Sequence, residues 1–203
     1  MIPPLCFVTD AGAPAAMVDQ ALAAAQGGAR WVQLRHKTLP DPEFAALARS
    51  LMPRLAAFGA LLAVNDRVGV AIEIGAPVLH VGQGDGDPAA IRARLHPGTI
   101  LGLSVETAGQ LAAVPAGVDY LGVGPLRATA SKPDHAPPIG LDGFAAIVAR
   151  TTLPCLAIGG MGAADAGAVK AAGGAGMAVV SAISRAPDMR RATQEILDAW
   201  RRA

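Results

Sequence analysis

The chain has 203 residues and a formal net charge of +1, with 52% hydrophobic residues and only 3% aromatics. That length is enough for one well-buried core and short for two, and a near-neutral charge supplies no field to draw nucleic acid or an acidic membrane. Any anion must therefore be met by a local site, and the aliphatic composition suits strands buried on both faces beneath helices.

The first ten residues, MIPPLCFVTD, lack the basic region and apolar stretch of a signal peptide. No apolar run approaches the roughly 20 residues of a membrane span, so a soluble cytoplasmic protein is expected. Eight short apolar runs follow in order, at residues 5–9, 31–35, 61–65, 78–82, 100–104, 120–123, 155–159 and 177–181. Ala-rich amphipathic segments separate them. Asp41-Pro42 precedes one such segment at 43–57 and Asp87-Pro88 another at 89–95, a helix-start pattern in both cases. Gly27-Gly28, Gly75 and Gly173-Gly174 stand where helices should stop.

Strands alternating with helices indicate a parallel sheet, and eight units indicate closure, so the predicted fold is α/β: a single small (β/α)8 TIM barrel over residues 1–203. The total lies below the usual ~250 residues, so helices and loops must be trimmed. An open doubly wound sheet is the alternative, but TDAGAPAAM after the first strand carries no dinucleotide fingerprint. Cys6 and Cys155 fall on the first and seventh strands with the eighth between, too distant for a disulfide when strands lie about 4.8 Å apart. They read as small apolar fillers. The one long connection, residues 125–138, is a candidate active-site loop.

In such a barrel, chemistry sits where strands end and loops begin. The second strand ends Gln33-Leu34-Arg35-His36-Lys37. A period of two puts Gln33, Arg35 and Lys37 on one face, and three polar groups aimed together from a buried strand point to the barrel mouth and an anion. Ion pairing to loop carboxylates is the alternative. The third strand ends in Asn65-Asp66 and the fourth runs into Gly82-Gln83-Gly84-Asp85. Carboxylates from neighbouring strand ends can share one Mg²⁺, which leaves its other positions to water and phosphate. Either Asp could instead cap the next helix. Gly159-Gly160 and Val180-Ser181 end the last two strands, the place of a recurrent phosphate pocket in this fold. Thr129, Ser131 and Lys132 add two hydroxyls and a cation after the sixth.

Taken in register, these segments carry a resemblance. Val8-Thr9-Asp10, Gln33-Leu34-Arg35-x-Lys37, Val64-Asn65-Asp66-Arg67, His80-Val81-Gly82-Gln83-x-Asp85, Gly102-x-Ser104, Gly122-Val123-Gly124-Pro125, Thr129-x-Ser131-Lys132, Ile158-Gly159-Gly160 and Val179-Val180-Ser181-Ala182-Ile183 together resemble the thiamine-phosphate synthase family along almost the whole chain. The resemblance implies a barrel enzyme that joins the pyrimidine diphosphate HMP-PP to a thiazole phosphate, releasing diphosphate. It implies that Arg35, Lys37, Asn65 and Lys132 bind the diphosphate and that Asp66 and Asp85 hold Mg²⁺. Gln33 and Ser104 would line the pyrimidine and diphosphate site, while Thr129, Ser131, Gly160, Val180 and Ser181 would hold the thiazole phosphate. Arg35, Lys37, Ser104 and Lys132 are the residues it would place at the reaction.

The chain also departs from that pattern. His36 stands where the family usually has Glu, but its parity points it away from the mouth. Gly84 replaces a common Glu, and Ser131 stands in for Thr and keeps the hydroxyl. Arg127 takes a place often filled by Phe, with its role open. Glu106 takes a place where relatives often have His, and is read as a first-turn acid on the following helix. His80 reads as a hydrogen-bonded core residue, His96 as exposed and Trp31 as packing, while His135 is unassigned. A thiazole tautomerase, or a non-catalytic thiazole-phosphate-binding protein on the same barrel, are the competing readings. The small-molecule substrates are the expected partners, with no nucleic acid and no membrane. The oligomeric state is open, a homodimer included.

Overall fold

In the computed structural model, which describes residues 2–129, 131 and 136–203, each apolar run forms a strand whose alternate side chains serve two different cores. The strands are β1 (Leu5–Val8), β2 (Trp31–Leu34), β3 (Leu61–Asn65), β4 (Val78–Val81), β5 (Ile100–Val105), β6 (Tyr120–Val123), β7 (Cys155–Ile158) and β8 (Gly176–Val179). All neighbours are parallel and β8 pairs with β1, closing the barrel in sequence order. An open sheet is thereby excluded.

One parity packs outward. Leu5, Phe7, Val32, Leu34, Leu62, Val64, Leu79, Val81, Leu121 and Val123 join the helices in a continuous aliphatic layer. The other parity fills the barrel with Cys6, Val8, Trp31, Ala63, Val78, Tyr120, Leu156 and Ala178. Trp31 is thus a packing residue, its ring centroid 5.1 Å from that of Tyr120. Cys155 belongs to the outer layer and Cys6 to the inner, so the two free thiols lie on opposite sides of the barrel wall.

The crossover helices are α1 (Met17–Gln26), α2 (Asp41–Ala56), α3 (Val68–Ile74), α4 (Pro88–Arg94), α5 (Gly140–Val148) and α6 (Ala166–Ala171). After β8 come the single turn α7 (Ser181–Ser184) and α8 (Met189–Arg202). Trimming falls on the middle of the chain: β5 and β6 are joined through a 3₁₀ turn, Ala108–Ala113, in place of an α-helix. Asp87 caps α4 through its side chain, as its position before Pro88 predicts. Asp41 differs, for it is the first residue inside α2, with Pro40 at the cap. No helix among the described residues is long and apolar enough to cross a membrane.

Several strands are shorter at their C-terminal ends than their sequence suggested. Thr9, Arg35, Gly82 and Gly159 leave the ladder, and Ser181 begins α7. Arg35, Gly82, Gly159 and Ser181 line the mouth of the barrel, and the Thr9 hydroxyl holds Arg35 beside it.

Candidate active site

A cavity of about 390 Å³ opens at the C-terminal ends of the strands. Gln33, Arg35 and Lys37 all line it, as strand parity predicts, although Arg35 and Lys37 already lie in the loop after β2. His36 turns away, and its Nδ1 accepts from the backbone amides of Thr38 and Leu39. Thr9 holds the start of that loop: its hydroxyl accepts from the Arg35 amide at 3.0 Å and donates to the Arg35 carbonyl at 3.3 Å.

Asn65, Asp66 and Asp85 line the same side of the cavity. Neither carboxylate caps a helix, which corrects that alternative. Asp66 pairs with Lys37 Nζ at 2.5 Å, and Asp85 accepts from the Gly82 amide at 2.6 Å, folding its own loop. Ion pairing and cavity lining are therefore both true of Lys37. Burial raises Asp85, and the neighbouring Asp66 charge adds to the rise against the bond from Gly82. Burial also penalises Asp66, yet the Lys37 ammonium, with Asp85 and Asn65 beside it, brings its carboxyl below the ordinary carboxylate value. Asp66 alone among the described non-glycine residues has a positive φ, 62°. This left-handed turn aims its carboxylate back over the cavity.

Two adjacent carboxylates with an amide side chain form an all-oxygen set suited to a hard cation. No cluster of three or more His, Cys, Asp or Glu side chains suited to a metal occurs among the described residues. A cation held here would draw its remaining ligands from phosphate oxygens and water, which is the habit of Mg²⁺.

The floor of the cavity was not legible as a unit. His80 Nε2 lies 2.9 Å from Ser104 Oγ and its Nδ1 3.0 Å from the Tyr120 hydroxyl. His80 is hydrogen-bonded as expected, but it is half-buried and reaches the cavity, to which the buried Tyr120 also contributes. Room for it comes from Gly122, where a Cβ would stand 2.8 Å from His80 Cε1. Gln83 donates to the Ser104 carbonyl at 2.6 Å, tying β5 to the loop after β4. The sequence signal was available: His80 and Ser104 share inward parity with two glycines, and rings fill the space that glycines leave.

Across the cavity, Thr129, Ser131, Gly160, Val180 and Ser181 line the wall. Gly159 and Gly160 have φ of 107° and 63°, and a Cβ at Gly159 would lie 2.6 Å from that of Pro125. Only glycine allows the loops after β6 and β7 to meet so closely. Arg35 spans the two walls, its guanidinium donating to the Ser131 carbonyl at 3.3 Å. Arg127 has a visible role: it donates to the Gly160 carbonyl at 3.1 Å and pairs with Asp165 at 2.6 Å, clipping the loop after β6 onto the loop after β7. Its guanidinium bonded to Asp165 holds that carboxyl below its usual value, helped by the Gly162 amide. Glu106 corrects the sequence reading. It precedes Thr107, the cap of the 3₁₀ turn, so it is not a first-turn residue, and it lines the cavity. Lys132 and His135 lie outside the described residues.

Comparison with known proteins bears on this arrangement. The sequence model of the family described as thiamine monophosphate synthase matches residues 5–183. Thiamine-phosphate synthase of Laribacter hongkongensis is 48% identical over 174 residues, 86% of this chain and 82% of that one. The enzyme of the same name from Roseiflexus sp. is 44% identical over 89% of this chain and 77% of its own length. Among solved structures, thiamine phosphate pyrophosphorylase from Pyrococcus furiosus superimposes with a TM-score of 0.87 at 32% identity, covering 98% of this chain and 95% of that chain.

Proposed function

Because the chain belongs to the thiamine monophosphate synthase family, we propose that it acts through this cavity, residues 1–203 working as one barrel in the cytoplasm, to couple HMP-PP with thiazole phosphate. The observation that carries the reading is the division of the cavity into two unlike walls. One holds Arg35, Lys37, Asn65, Asp66 and Asp85; the other holds hydroxyls at Thr129, Ser131 and Ser181 and positive-φ glycines at Gly159 and Gly160.

In the reaction, the bond between the pyrimidine methylene and the diphosphate oxygen breaks, and both electrons leave with the diphosphate. The amino-substituted pyrimidine bears the resulting positive charge. The thiazole nitrogen then donates its lone pair to the methylene carbon, forming the C–N bond of thiamine phosphate. Catalysis therefore requires neutralising the leaving group and holding the nucleophile in line. Arg35, Lys37, Asn65 and Lys132 bind the diphosphate. Asp66 and Asp85 would hold Mg²⁺, which when bound supplies positive charge against the departing oxygens. Gln33 and Ser104 orient the pyrimidine, and the His80 ring fixes Ser104 from below. Thr129, Ser131, Gly160, Val180 and Ser181 seat the thiazole phosphate. A tautomerase or a passive binding protein has no use for a carboxylate pair set among cations.

The test is incubation of the protein with HMP-PP, thiazole phosphate and Mg²⁺, following thiamine phosphate and diphosphate together. Stoichiometric appearance of both products is expected. No turnover would refute the reading.

A further inference from the structure

We propose that Arg67, which does not line the cavity, is the positioning residue of its diphosphate wall, locking the loop that carries Arg35 and Lys37 against the turn that carries Asp66. The inference rests on the functional reading above and adds a residue to it. One nitrogen of the Arg67 guanidinium donates to two backbone carbonyls, His36 at 2.8 Å and Leu39 at 2.6 Å. The other pairs with the Asp41 carboxylate at the start of α2. The guanidinium carbon lies over the Phe44 ring, 4.6 Å from its centroid. Only 16% of the side chain is exposed.

The two carbonyls bracket Lys37. The Thr9 hydroxyl holds the same segment at Arg35, so the chain from Arg35 to Leu39 is fixed at both ends while Lys37 lies free to extend between them. Its ammonium then meets Asp66, the residue next to Arg67. Asp66 sits at a φ of 62°, a conformation that persists only where neighbours over-determine it. Anchoring the side chain of the next residue supplies that constraint. A planar fork with several donors can serve two carbonyls, a carboxylate and a ring at once, and a lysine ammonium cannot. The Asp41 carboxylate balances the charge, so the role of Arg67 is one of geometry and not of adding a cation to the cavity.

The experiment compares Arg67→Lys, Asp41→Asn and, as a control, Arg49→Ala, which removes an exposed ion pair to Glu73 between α2 and α3. Steady-state coupling is measured against each substrate separately, and Mg²⁺-dependent binding of inorganic diphosphate is measured by calorimetry without turnover. Arg67→Lys should raise KM for HMP-PP and Kd for diphosphate about tenfold or more, with KM for thiazole phosphate within about twofold. Asp41→Asn should move the same two constants by about two- to fivefold, and Arg49→Ala neither. Equal rises for both substrates, or unchanged diphosphate affinity in Arg67→Lys, would overturn the proposal. Should Arg67→Lys not fold, an unshifted diphosphate Kd in Asp41→Asn, whose carboxylate is surface-exposed, would do the same. A parent protein inert toward both substrates would instead refute the functional reading itself.

Discussion

Asp66 combines a side chain to which we assign a role at the diphosphate with an unfavourable backbone, and two substitutions separate them. Asp66→Gly and Asp66→Ala delete the same carboxylate and the same bond from Lys37, so that loss cancels in the comparison. What differs is the cost of a Cβ at a φ of 62°. An L-residue in the left-handed region costs on the order of 1 kcal/mol, and alanine is the unsuited choice there. Asp66→Gly should therefore be about 1 kcal/mol more stable than Asp66→Ala, or roughly 2–4 °C in Tm for a chain of this size. Against the parent, relief of strain offsets loss of the Lys37 pair, which is half exposed on the lysine side and contributes about 0–1 kcal/mol. Activity should not follow stability. On the proposed role of Asp66 at the leaving diphosphate, both variants should fall by about 10²–10³ in kcat/KM. Thermal unfolding by circular dichroism and the coupling assay in excess Mg²⁺ supply the two readouts. Equal stability of the two variants would show that the left-handed turn is not a constraint. Activity within tenfold of the parent in either would remove the carboxylate from the chemistry.

Lys37→Ala should raise KM for HMP-PP and leave thiazole phosphate nearly unaffected, whereas Ser181→Ala should raise KM for thiazole phosphate about tenfold through loss of one or two hydrogen bonds; equal damage to both substrates from either change would mean the walls are misassigned. Glu106→Ala should keep coupling within about tenfold of the parent, under ~1.4 kcal/mol of barrier, although Glu106 lines the cavity; efficient thiazole tautomerisation by the parent, lost in this variant, would favour an isomerase. Burial pushes the Cys6 thiol up to about 12 and Cys155 to about 11, from 9.0 in both cases. The folded protein therefore holds protons that the unfolded chain releases above about pH 9, so this contribution is full below pH 9 and is lost as pH rises toward 12. The urea midpoint should fall between pH 8 and pH 10, and Cys6→Ala should flatten the slope. Neither thiol should react with iodoacetamide at pH 8 until denaturant is added.

The barrel was legible because its signals are local. Eight apolar runs of alternating parity, separated by Asp-Pro starts and glycine stops, need no knowledge of what lies across the molecule. Counting on from β2 with a period of two also placed Gln33, Arg35 and Lys37 at the cavity and His36 off it, an alternation that continues into the loop after the strand. The exact strand ends were less legible, because a ladder stops where backbone groups find other partners, as the Ser181 carbonyl does with the Arg185 amide. Glu106 misled for a related reason: an acid just before a helix and one inside its first turn look alike in sequence, and only the cap at Thr107 separates them. Beyond reach altogether were the pairings between loops. Arg67 with the carbonyls of His36 and Leu39, Arg127 with Gly160 and Asp165, and His80 with Ser104 and Tyr120 join residues 24 to 40 positions apart. Residue type and local pattern pointed to many of the side chains that reach the mouth of the barrel, though not to Glu106, His80 or Tyr120. Which of them meet was decided only by closure of the sheet, because the distance between two strand ends depends on the whole ring of strands between them.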